Sequence, residues 1–154
     1  LLPYAETTFS PMARNPHLRM ENRISVCREF AELWQNFFQY LNEDYDDVEI
    51  SEDMERQFEQ VVTVLALNHY KFSELCGEFM KDTDGVMNTL AGVVNLQHIR
   101  DMDDSTLGKI IVDAHTLLID MHKALGRMLA RLSPKQLEAI QNQQQQPAGE
   151  QKPA

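Results

Sequence analysis

Four histidines, His69, His98, His115 and His122, fall on stretches with helical periodicity, and neutral imidazole is the commonest side-chain ligand of transition metals. Two of them recur in Asp113-Ala114-His115 and Asp120-Met121-His122, so they stack along one helix face two turns apart. That separation is about 10 Å, too long for one ion to take a nitrogen from each at about 2.0–2.1 Å without a third helix. The sequence contains neither the Glu-x-x-His pairs of a dinuclear carboxylate bundle nor the His-Glu-x-x-His of a zinc protease. The spacing therefore predicts ordinary boundary histidines and assigns no metal.

Asn68 and His69 lie toward the apolar side of the helix that carries them, and a buried amide beside an imidazole must find hydrogen-bond partners on facing helices. The pair is expected to be a polar element of the core that fixes helix register, with a small buried pocket as the sharper reading. Asn42, Asp44 and Asp46 offer oxygens at positions one, three and five of a calcium loop. The match fails at position six, where Asp47 replaces the glycine of the sharp turn, and at position twelve, where Asp53 replaces the bidentate Glu.

Cys27 and Cys76 sit inside apolar helical stripes, where a free thiol behaves as a small hydrophobe, which fits a reducing compartment and a cytoplasmic location. No Gly-x-Ser-x-Gly elbow and no glycine-rich phosphate loop occurs in the sequence. No catalytic residue and no cofactor is assigned.

The elements that would position these residues are legible from periodicity. Residues 1–19, with Pro3, Pro11 and Pro16, read as an extended N-terminal arm. From Met20 the residues Ile24, Cys27, Ala31, Trp34, Phe38 and Leu41 recur at steps of four and three, with Phe30 and Phe37 widening the stripe. An acidic connector follows, and Ser51 is the expected N-cap of a second helix running through Phe58, Leu65 and Phe72 to about Met80. Asp82-Thr83-Asp84-Gly85 supplies a turn, and Val86, Leu90, Val93, Val94 and Gln97 predict a third helix ending near Asp101. Ser105 is the expected cap of a fourth, from Leu107 to Leu132. Ser133-Pro134 opens a short fifth over Leu137 and Ile140, ending by Gln141 or Asn142. Residues 142–154, Gln- and Pro-rich, are expected to be disordered.

This pattern predicts an all-α domain over residues 20–141: an antiparallel up-down four-helix bundle with a short fifth C-terminal helix and a disordered tail. The expected core contains Trp34, Phe38, Phe58, Leu65, Phe72, Phe79, Leu90, Leu117, Met121 and Leu125. The 154 residues carry 24 acidic against 14 basic side chains, a net charge of −10 that repels phosphate backbones and anionic lipid. Nucleic acid and membrane are thereby excluded as expected partners. Nine acids between Glu43 and Glu59 concentrate that charge in a solvated connector, with docking of a basic partner as the sharper reading. No apolar run approaches the roughly 18 residues of a membrane span, and the opening residues lack a signal-peptide pattern. The chain opens at Leu1 rather than Met, which fits the loss of an upstream segment.

The unusual feature is surplus apolar surface on the fourth helix. At 100° per residue, Leu107, Ile110, Ala114, Leu118, Met121 and Leu125 span one face, while Val112, Ile119 and Ala130 fall about 120–140° from Leu107. His115, His122 and Gly126 lie between, leaving a narrow polar sector of Lys109, Asp113, Thr116, Asp120, Lys123 and Arg127. The sequence therefore predicts a non-enzymatic helical interaction module, an assembly, adaptor or regulatory subunit. Its expected contact with a protein partner or a second copy uses Val112, His115, Ile119, His122, Gly126 and Ala130. The alternative is a ligand- or metal-binding bundle with Asn68, His69, His98, His115 and His122 pointing inward.

Overall fold

The computed structural model describes the backbone of residues 16–144 and the side chains of residues 20–143. Residues 1–15 of the expected 1–19 arm and 145–154 of the expected 142–154 tail lie outside the described residues; 142–144, expected in the tail, continue the last helix. The described residues are all-helical: they form six α-helices and one 3-10 turn, with no strand among them. They are α1 (Pro16–Asn42), α2 (Glu52–Cys76), the 3-10 turn Gly77–Phe79, α3 (Asp84–Ala91), α4 (Leu96–Asp101), α5 (Asp104–Leu129) and α6 (Pro134–Gln144).

The long helix α1 packs along both α2 and α5, which meet chiefly through it; α3 lies against α5 and α2, and α4 against α2. Large side chains dictate this arrangement. Phe30 stacks on Phe72 of α2 with ring centroids 4.2 Å apart, Phe37 lies 6.0 Å from Phe58, and Trp34 sits 5.0 Å from Phe37. All five are fully buried. On the other flank the Trp34 indole N–H donates to the Ala114 carbonyl of α5 at 2.9 Å, meeting the requirement that a buried indole find an acceptor. Ala114, Met121, Ala124 and Met128 give α5 its buried line, and the alanines let α1 approach closely.

Helix ends follow local chemistry. The Ser51 hydroxyl accepts from Met54 N at 3.2 Å as N-cap of α2, with Glu52, Asp53 and Glu55 in the first turn where the helix dipole favours negative charge. Ser133 and Gln136 form a reciprocal capping box at α6, with the Ser133 hydroxyl accepting from Gln136 N and the Gln136 side chain accepting from Ser133 N. At α5 the cap is Asp103 rather than Ser105: its carboxylate accepts from Thr106 N at 2.7 Å and from the Thr106 hydroxyl at 3.0 Å. Those two bonds hold the Asp103 carboxyl below its ordinary range.

Several boundaries differ from the sequence reading. α1 starts at Pro16, inside the stretch expected to be an arm, with proline at a first-turn position it tolerates. α2 stops at Cys76, and the chain tightens through Gly77–Phe79 instead of continuing to Met80. Three arginines fix that turn. Arg23, itself buried, donates to the Leu75 carbonyl and pairs with Glu78; the guanidinium groups of Arg23 and Arg131 cover the Phe79 ring at 5.1 and 5.0 Å; and Arg127 donates to the Phe79 carbonyl at 2.9 Å.

The single third helix expected over Val86–Asp101 is instead two short ones. Gly92 and the β-branched pair Val93-Val94 weaken the helix, and Asn95 then caps a new one by accepting from His98 N at 2.7 Å. The Glu55 carboxylate of α2 completes this start, accepting from Leu96 N at 2.8 Å and Gln97 N at 3.1 Å. Arg100 of α4 in turn donates to the Tyr45 and Val48 carbonyls, tying the acidic connector down. Of the expected core residues, Phe38 and Leu125 are half-buried and the rest are buried. Phe38 yields the inner position to Phe37.

Candidate functional site

The outer face of α5 is the candidate site. Facing away from the buried line of Ala114, Leu117, Leu118 and Met121 are Val112, His115, Ile119, His122, Gly126 and Ala130, all exposed. They are spaced by three, four, three, four and four, the interval that keeps a seam on one side of an α-helix. Val112 is 62% exposed and Ile119 40%, large values for β-branched side chains in a helix that buries its opposite face. Open space lies where Gly108 and Gly126 would carry a Cβ, so the backbone is accessible at both ends of the seam. The flank toward α1 is closed by His115, whose ring stacks on Phe38 with centroids 5.4 Å apart. Along the other flank Lys109 and Asp113 form an exposed ion pair at 3.2 Å.

The expected polar core is not there. Asn68 lies about 60° around α2 from Leu65, off the line of Phe58, Leu65 and Phe72; it is exposed, and its amide donates back to the Val64 carbonyl of its own helix at 2.8 Å. His69 is half-buried, with Nε2 2.7 Å from the Thr83 carbonyl, so it ties α2 to the turn before α3. His98 accepts from Val94 N through Nδ1 at 3.0 Å and stabilises the α3–α4 junction. His115 and His122 are exposed on α5. Among the described residues the histidines are dispersed: His69 and His98 serve local junctions, and His115 and His122 are exposed. Among the described residues no group of three His, Cys, Asp or Glu side chains is placed to hold a metal ion.

Cys27 and Cys76 are both buried free thiols, in keeping with their place in the apolar stripes. Spacing alone did not reveal that they meet. Interaction between the two side chains, together with burial, pushes the Cys76 thiol above the ordinary value; the same interaction holds Cys27 below it, against burial, which raises it. A second exposed apolar face was also missed. On α2, Leu67 is 77% and Tyr70 75% exposed, with Val64 beside them. The signal was present, because these residues stand on the side of α2 opposite the Phe58–Leu65–Phe72 line.

No described helix is long and apolar enough to cross a membrane. Comparison with protein-family models, characterised proteins and solved structures gives no match to this chain.

Proposed function

We propose that this chain is a non-enzymatic helical interaction module that pairs with a second copy of itself through the outer face of α5. In this reading α1, α2 and α5 are three members of an antiparallel bundle, and α3 with α4 fills the place of the fourth. The observation that carries the proposal is the exposed heptad-like seam of Val112, His115, Ile119, His122 and Gly126 on a helix whose opposite face is fully engaged.

The seam is self-complementary in an antiparallel pairing. With Ile119 at a two-fold axis, Val112 stands seven residues to one side and Gly126 seven to the other, so each copy sets a branched side chain against the other's open glycine. His115 and His122 then face each other across the axis. α5 has 26 residues, about 39 Å at 1.5 Å per residue, enough for the whole seam to be covered along its length. The inward-facing ligand site has no comparable support, since its histidines are dispersed.

Light scattering on the full chain tests the proposal. At about 100 μM, in the range of weak-to-moderate association, the mass of two chains is expected. Ile119→Glu places a carboxylate on the axis in both copies and should restore the single-chain mass with helicity unchanged. A single-chain mass at that concentration, unaffected by Ile119→Glu, would remove self-association from consideration.

A further inference from the structure

Cys27 and Cys76 take no part in the α5 seam, yet both are wholly buried where α1, α2 and α5 converge. Cys76 Sγ donates to the Arg23 carbonyl at 3.5 Å, one helical turn before Cys27 on the same face of α1. Cys27 Sγ donates to the Met121 carbonyl of α5 at 3.7 Å. Cys76 Sγ thus sits at the carbonyl that, within α1, accepts the Cys27 backbone N–H, which places it against the turn that carries Cys27. An apolar core normally holds one small hydrophobe against another without polar atoms. Here two thiols from residues 49 apart in the chain occupy neighbouring places in the core, Cys76 against the turn of α1 that carries Cys27.

We propose that Cys27 and Cys76 are a redox pair that closes to a disulfide, joining α1 to the C-terminal end of α2. The oxidant belongs to the class of small organic disulfides. One cysteine thiolate attacks a sulfur of the small disulfide, forming a mixed disulfide and expelling one small thiolate. The second cysteine thiolate attacks the protein sulfur of that mixed disulfide and expels the other. The two cysteine protons go to the two leaving thiolates: one small disulfide is reduced to two thiols, and two thiols become one cystine.

Position favours closure. A disulfide needs Cα atoms about 4.4–6.8 Å apart, less than the roughly 8–10 Å between packed helix axes, so mid-helix residues are poor candidates. Cys76 is the last residue of α2, followed directly by the Gly77–Phe79 turn, so it is not held within a continuing helix on its C-terminal side. Attack on Cys76 requires local opening of that turn against the Arg23, Arg127 and Arg131 contacts that hold it. Closure removes the Cys27 S–H and with it the bond to Met121 on α5. The cross-link thus exchanges a contact with the seam helix for a covalent tie to α2.

The test uses the native full chain and oxidised glutathione. The expected product is a single chain lighter by two hydrogen masses, whose non-reduced digest contains a peptide joining Cys27 to Cys76. Its thermal midpoint should rise on the order of 10 °C and fall back with dithiothreitol. Cys76→Ser and Cys76→Ala should each lose both the cross-link and the shift. The proposal is overturned if the native chain keeps two free thiols under conditions that cross-link the urea-unfolded chain, or if the cross-linked chain melts no higher than the reduced one. Neither result bears on the mass measured for self-association.

Discussion

Phe72 sits face to face with Phe30 at the centre of the α1–α2 contact, with no exposure and an interplanar angle of 12°. Phe72→Ala removes the ring from both sides of that stack and leaves a cavity that helices anchored at Trp34 and Phe58 cannot close. It should cost about 3–5 kcal/mol in urea melts, and a loss below about 1 kcal/mol would show that the stack does not hold α1 to α2. Tyr45 makes a different prediction at the same scale. Its ring is buried, its hydroxyl donates to the Tyr40 carbonyl at 3.0 Å, and burial, reinforced by Glu43, raises the phenol from 10 to about 12. Below pH 10 both folded and unfolded chains keep the proton. Between 10 and 12 the unfolded chain loses it first, so the folded state binds more protons and stability falls as pH rises. The stability advantage of the wild type over Tyr45→Phe should therefore shrink by about 2 kcal/mol across that window. Parallel pH–stability curves for the two proteins would show that the phenol titrates normally.

The short helix α4 depends on a residue far from it in sequence. Its first amides, on Leu96 and Gln97, are satisfied by the Glu55 carboxylate of α2, while Asn95 takes only His98 N. Glu55→Ala should leave two amides without their partner and cost about 1–2 kcal/mol, with hydrogen exchange faster at Leu96 and Gln97 than at Phe72. Equal protection at those amides in the variant would mean that Asn95 suffices. This contact also marks the limit of sequence reading. α1, α2 and α5 could be read directly because their buried faces repeat at steps of three and four over about six turns or more. The break at Gly92–Asn95 was harder to see, because Val93, Val94 and Gln97 continue the apolar rhythm; only a glycine before two β-branched residues, followed by an asparagine cap, signalled it. The outer seam of α5 was legible as apolar residues in excess of one buried stripe. The packing of Cys76 against the turn of α1 that carries Cys27, and the cover of Phe79 by Arg23 and Arg131, were not, since each joins residues about 50 positions apart and leaves no local pattern. Asn68 was misplaced for a related reason: the 60° between it and Leu65 falls on the margin of a stripe, where the neighbouring helices decide burial.

Across the whole molecule, α1 is the shared partner. It contacts α2 through Phe30 and Phe37 and α5 through Trp34, whereas α2 and α5 meet chiefly through it. Loss of α1 would leave both flanking helices with an unburied apolar face, which neither short α3 nor short α4 can cover. Unfolding should therefore be a single cooperative transition rather than stepwise detachment of helices. Trp34 makes this measurable, because it is the only tryptophan, has no exposure, and is held between the Ala114 carbonyl of α5 and Phe37, itself packed on Phe58 of α2. Its emission reports the opening of the α1–α5 and α1–α2 contacts together, while far-ultraviolet circular dichroism reports helix content throughout the chain. In a urea titration the two normalised curves should superimpose, with one midpoint and one slope. If α5 separates first, Trp34 emission will shift to the red at a lower urea concentration than the loss of helix signal. If α2 frays first, helix signal will fall while the indole stays dry. Either displacement would show that α1 does not couple its neighbours, and the architecture would then be two helix pairs that happen to share a strand of packing rather than one core.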